Sequence, residues 1–85
     1  MKRAYAIVVR RAKKNYSADC PDLPGCVATG RTIDETLRRM RSAMSFHLDG
    51  LRASRLPVPR PTTKLSTLVR EHGPDQIYTV VQVAA

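Results

Sequence analysis

Seven carboxylates, two cysteines and two histidines are the side chains in this sequence best suited to hold a metal ion or to act as acid, base or thiol nucleophile near neutral pH. A metal-dependent nuclease needs several carboxylates converging on one ion. The acids here are Asp19, Asp22, Asp34, Glu35, Asp49, Glu71 and Asp75, scattered along the chain. Asp34 and Glu35 are accounted for by a helix start, and Asp22 sits in a loop. Cys20 and Cys26 lie far in sequence from His47 and His72, with no local signature of a Cys-His nucleophile and no zinc spacing. No glycine-rich phosphate loop is present. The expectation is a protein that is not an enzyme, with no metal and no cofactor.

A second kind of chemistry is contact with an acidic partner. The 85 residues carry a formal charge of +8, which favours nucleic acid or an acidic protein face. Arg10, Arg11, Lys13 and Lys14 form a basic run with no acid among them, and Arg38 and Arg41 add positive charge further on. These six residues are the candidate contacts if the chain is a stand-alone basic nucleic-acid-binding module. No helix-turn-helix, zinc finger or aromatic stacking motif accompanies them.

The elements that must position these residues follow from local pattern. Ala4 to Val9 (AYAIVV) reads as a first strand, nearly continuous in apolar character and therefore covered on both faces. A polar turn covers Arg10 to Asn15. Tyr16 to Cys20 is a second strand with Tyr16, Ala18 and Cys20 on one side. Pro21 and Pro24 bracket Asp22 and Leu23, and Gly25 follows, so covalent geometry holds this loop in one shape. Cys26 to Thr29 is a third strand. A disulfide between Cys20 and Cys26 would close a small hairpin, whereas reduced thiols are expected in a cytoplasmic chain.

Thr32-Ile33-Asp34-Glu35 is a capping box, and apolar residues recur at Ile33, Leu37, Met40, Met44, Leu48 and Leu51, one face of a helix. Gly50 is costly inside that helix and marks either fraying or a close packing contact. His47 falls beside the apolar stripe, as a packed or half-buried histidine. Leu56 to Pro61 holds three prolines in six residues and leaves the helix as an extended crossover. Thr62 to Arg70 has helical spacing for one or two turns, Gly73-Pro74-Asp75 is a turn, and Ile77 to Val83 is the last strand.

The predicted class is α+β, in the order β-β-β-α-β, with a short second helix before the last strand. An antiparallel meander carries one main helix on one face, and the long crossover can place the last strand beside the first. The opposite sheet face is predicted to lack cover, which argues for a homo-oligomer or a partner protein. One domain is expected at this length. No apolar run reaches a membrane span or a signal-peptide core, so a cytoplasmic protein is expected.

The run Tyr16 to Leu51 closely resembles the HicB antitoxin family. The shared features are the Pro-Asp-Leu-Pro-Gly-Cys loop (Pro21 to Cys26), Ala28 to Gly30, the capped helix start (Thr32 to Glu35), His47 to Leu51 and the Pro-x-Pro exit (Pro57 to Pro59). The resemblance implies a partial RNase H-like fold without the nuclease carboxylates. It also implies the antitoxin of a type II toxin–antitoxin pair. The partner would be a HicA-like toxin, a small double-stranded-RNA-binding-like domain that cleaves mRNA with a histidine, masked by the antitoxin. Dimers or tetramers are common in the family. Many members carry a C-terminal DNA-binding domain; this sequence ends at its last strand and is read as the short form. Antitoxins of basic toxins are usually acidic, whereas this chain is basic. Its locally acidic loop is therefore the expected contact surface: Asp19, Pro21, Asp22, Leu23, Pro24 and Gly25.

Overall fold

Strand β1 is the structural axis of the chain. The computed structural model describes residues 2–84, with elements β1 (Lys2–Arg11), β2 (Tyr16–Asp19), β3 (Val27–Gly30), α1 (Ile33–Ala53), α2 (Leu65–His72) and β4 (Ile77–Ala84). The sheet order is β3-β2-β1-β4 and each neighbouring pair is antiparallel. The crossover therefore does return β4 to the side of β1. Tyr5 to Val9 are all buried, as their unbroken apolar character predicts. Arg10 and Arg11 continue the strand instead of opening the turn, which closes through the Ala12 N–H donating to the Asn15 carbonyl at 2.8 Å.

Two helices bury β1 from opposite sides. Tyr5, Ile7 and Val9 join Met40, Met44 and Leu48 of α1 in the main core. The alternate residues Ala6 and Val8 are buried as well, on the face that Val8 shares with its cross-strand partner Tyr78. Helix α2 packs on β4 and β1 with Leu68 fully buried. His72 Nδ1 lies 3.2 Å from the Arg10 guanidinium, and the Tyr78 hydroxyl donates to the Gly73 carbonyl. The expectation of an uncovered sheet face is thus corrected: eight residues of amphipathic helix cover its β1–β4 half. What remains apolar and open there is Val80, with Leu65 and Val69 of α2.

Strand β2 stops at Asp19, so Arg3 to Ile7 have no partner on that side. The crossover fills the gap and carries the chain from the α1 face to the α2 face. Arg3 donates to the Val58 and Pro59 carbonyls, each at 3.3 Å, and the Tyr5 hydroxyl donates to Pro59 at 2.5 Å.

Helix α1 begins as its capping residues predict, with the Glu35 N–H donating to Thr32 Oγ1 at 3.0 Å. The reciprocal bond is displaced by one residue: Glu35 accepts from the Arg31 N–H, at 2.9 Å. That bond first, and the nearby arginines after it, hold the Glu35 carboxyl below its ordinary range. The helix ends in a Schellman motif, with Leu56 N–H to Leu51 O at 2.8 Å and Arg55 N–H to Arg52 O at 3.0 Å. Arg55 takes the left-handed position at φ 57°. Among the described residues no helix is long and apolar enough to cross a membrane.

Candidate functional site

The proline loop is two consecutive turns sharing Leu23. The Leu23 N–H donates to Cys20 O and the Cys26 N–H to Leu23 O, each at 3.1 Å. Pro21 and Pro24 occupy the second position of each turn, where a fixed φ is wanted. Gly25, at φ 85°, supplies the positive φ that a type II turn needs at its third. Leu23 is the plug: it is fully buried with Cys20 and Cys26 in the main core. Pro21, Pro24 and Gly25 are left exposed.

The two acids of this loop are engaged inside the chain. Asp19 forms an ion pair with Arg10. Asp22 accepts from the N–H and hydroxyl of both Thr62 and Thr63, at 2.9 to 3.1 Å. Asp22 is therefore a latch for the crossover, and neither acid stands free to meet a basic partner.

Both cysteines are free and buried. Burial pushes the Cys20 thiol up from 9.0 to about 11, partly offset by the N–H groups of Asp22 and Leu23, and burial also raises Cys26. Both are thiols at neutral pH, in the state of structural rather than reactive cysteines. The folded chain holds the Cys20 proton where the unfolded chain releases it. The Cys20 contribution to stability is therefore expected to be level below pH 9.0 and to fall as pH rises from 9.0 towards about 11. Urea unfolding of the wild type and Cys20→Ala at about pH 8 and about pH 10.5 measures it; the variant should lose part of the alkaline decline, and an identical decline would refute the assignment.

The basic residues do not form one patch. Arg10 is taken up by Asp19 and His72, and Arg11 lies over the Tyr16 ring at 5.8 Å. Lys13 and Lys14 are exposed at the β1–β2 turn. Arg38 and Arg41 are exposed on α1, but Arg41 lies nearly opposite Arg39 around the helix at about 100° per residue. It is Arg31 and Arg39 that join Lys14, in a cleft of about 770 Å³ between the turn, the end of β3 and the start of α1. Arg39 donates to the Thr29 carbonyl at 3.1 Å and lies 3.5 Å from Glu35.

The same seam between α1 and β3 becomes apolar at its other end. There a groove of about 480 Å³ is lined by Val27, Ala43, Phe46, Gly50 and Leu56, among others. Phe46 is 82% exposed, Val27 60% and Leu56 54%. Gly25, a contact candidate from the sequence, lines the same groove, but sequence pattern did not point to Val27, Phe46 or Leu56. The available signal was Phe46 itself, an aromatic residue set between Met44 and Leu48 but off their stripe. His47, on the stripe's flank, is half-buried as expected. Among the described residues no three His, Cys, Asp or Glu side chains come together as a metal-binding group.

Fold and surface together define a small α+β fold in which a basic cleft and an apolar groove lie between α1 and β3, while β4 is the outer strand at the other edge of the sheet. The chain belongs to the HicB-like antitoxins of bacterial toxin–antitoxin systems, whose family model matches residues 5–85. An uncharacterized 14.9 kDa protein from the rep-hol intergenic region of Haemophilus phage HP1 is 29% identical over 79 residues, 93% of this chain. This chain spans 59% of that relative's length. The crystal structure of the N-terminal domain of Burkholderia pseudomallei antitoxin HicB shares the fold at TM-score 0.84 and 24% identity, over 96% of this chain and 99% of that one. A chain of the HicA3 and HicB3 toxin–antitoxin complex superposes at TM-score 0.74 and 21% identity, over 96% of this chain and 99% of that one.

Proposed function

We propose that this chain neutralises a HicA-like, mRNA-cleaving toxin by binding it and covering its working surface, without catalysis of its own. The observation that carries the reading is the family match across residues 5–85. A neighbouring fold solved in a HicA3–HicB3 complex supports a toxin as the partner class. The scattered carboxylates and thiols held protonated by burial agree with a binding role. Co-expression with a HicA-like toxin is the test. Growth arrest by the toxin should be relieved by this chain and a stable complex should co-purify; arrest that persists, with no complex, refutes the reading.

Self-association is part of this proposal, through β4 rather than through a bare sheet face. β4 is an outer strand of eight residues, IYTVVQVA, with no charge and no proline. Strand edges of that kind pair with another chain unless charge or proline blunts them. Val80→Lys is expected to shift the mass in light scattering from dimer towards monomer while leaving the fold intact. A wild-type protein that is monomeric at high concentration contradicts this.

A further inference from the structure

Cys20 and Cys26 stand one step beyond the paired residues of β2 and β3. In that ladder Asp19 faces Val27, Ala18 faces Ala28, Ser17 faces Thr29 and Tyr16 faces Gly30. The same register, continued by one residue, sets Cys20 opposite Cys26. Side chains alternate along a strand, so both thiols fall on the face of Ala18 and Ala28, and both residues are buried in the main core. The Cys26 N–H is given to the Leu23 carbonyl, so the two cysteines do not exchange ladder bonds. Opposed residues of that kind have Cα atoms about 4.5 Å apart in a regular ladder. That falls at the short end of the roughly 4.4–6.8 Å that a disulfide spans. A thiolate at Cys26 also raises the Cys20 thiol, which places the two groups near each other.

The two thiols differ in access. Cys26 lines the apolar groove of about 480 Å³ between α1 and β3. Cys20 lines neither that groove nor the basic cleft. We propose that the pair is an oxidation site, in which a peroxide entering the groove oxidises Cys26 and Cys20 then closes the pair to an intramolecular disulfide.

The chemistry balances with hydrogen peroxide as the oxidant. The Cys26 sulfur takes one peroxide oxygen: an S–O bond forms, the O–O bond breaks, and the departing hydroxide leaves as water with the thiol proton. The product is a sulfenic acid, which condenses with a thiol. The Cys20 sulfur then attacks the Cys26 sulfur, the S–S bond forms, the S–O bond breaks, and the Cys20 proton leaves in a second water. The two thiols give up two electrons and the peroxide takes both. Burial sets the rate and the register sets the product. Both groups are protonated at neutral pH, so the reduced pair is the resting state and oxidation is slow. Once Cys26 is a sulfenic acid, Cys20 is the thiol that faces it. The bridge joins the two ends of the loop from Pro21 to Gly25, beneath the turns that already shape it.

The test treats the purified, reduced full chain with hydrogen peroxide at neutral pH without denaturant. Intact mass, free thiols after unfolding and peptide maps without reductant are followed. A monomer lighter by two hydrogens is expected, with both thiols lost together, Cys20 joined to Cys26, and recovery by a dithiol reductant. The bridged chain should melt about 5 °C or more above the reduced one, because the bridge restricts the unfolded chain. In Cys20→Ala, dimedone should trap a sulfenic acid at Cys26. In Cys26→Ala, Cys20 should oxidise roughly tenfold or more slowly than that, for want of access. The wild-type products decide the pairing even where an alanine variant fails to fold. Chains joined to one another, thiols lost independently as sulfinic acid, or a bridged chain that melts no higher than the reduced one would each overturn the proposal. So would a folded chain that forms no bridge under an exposure that bridges the urea-unfolded chain.

Discussion

Gly30→Ala is expected to destabilise the fold by about 3 kcal/mol, lowering the melting temperature by more than about 10 °C in a chain of this size. The cause is the seat of α1. A Cβ at position 30 would lie 2.6 Å from Thr36 Oγ1, 2.8 Å from the Thr36 nitrogen and 3.1 Å from its Cα. Two of those atoms are backbone in the first turn of the helix, so no rotamer relieves them. Thr36 is itself fully buried, and its hydroxyl donates to the Thr32 carbonyl at 2.7 Å. Glycine lets β3 end against the helix start and so sets the angle at which the Met40, Met44 and Leu48 stripe meets β1. Thermal and urea unfolding measure the loss. Adding Thr36→Ala should restore little of it, because the backbone clash remains. A loss under about 1 kcal/mol, no more than an average point substitution costs, would show that α1 is not seated this way.

Asp22→Ala should cost about 2–4 kcal/mol, as expected for removing an ionised acceptor that holds several donors. Its carboxylate takes four hydrogen bonds from Thr62 and Thr63, forty residues downstream, and thereby ties the crossover to the proline loop. Without it, the segment before α2 loses its anchor and Leu68 loses its fixed approach to β1. Asp22→Asn is the informative control. One amide oxygen can still accept both threonine N–H groups, while the amide nitrogen donates to the two hydroxyls once they rotate. The asparagine variant should therefore lose less than half as much stability as alanine. Hydrogen exchange should accelerate at the Thr62 and Thr63 amides in the alanine variant. Unchanged exchange there would show that the crossover is held by the Arg3 and Tyr5 bonds alone.

The parts of the fold legible in the sequence were those governed by neighbours in the chain. Pro21, Pro24 and Gly25 specify two turns through their own φ preferences, and Thr32 with Glu35 specifies a helix start. The apolar run from Tyr5 to Val9 announced a strand buried on both faces, although the second cover, α2, came from a segment whose helical spacing did not say which face it would take. Long-range pairing was not legible. Asp22 reads as a free acid in a loop until Thr62 and Thr63 arrive beside it, and Arg10 reads as a free base until Asp19 and His72 do. The surface followed the same logic. Arg31 and Arg39 are brought to Lys14 only by the packing of α1 on β3. Gly50 and Phe46 are seen to line one groove only when α1 lies beside β3.

The most direct test of a protein that works by covering its partner is a titration of mRNA cleavage by the purified toxin against increasing amounts of this chain. Masking predicts that cleavage falls linearly to an end point at a fixed stoichiometric ratio, is unaffected by longer preincubation, and returns when the complex is dissociated. Inhibition by catalytic amounts, growing with preincubation time and surviving removal of this chain, would contradict it, as would undiminished cleavage at excess.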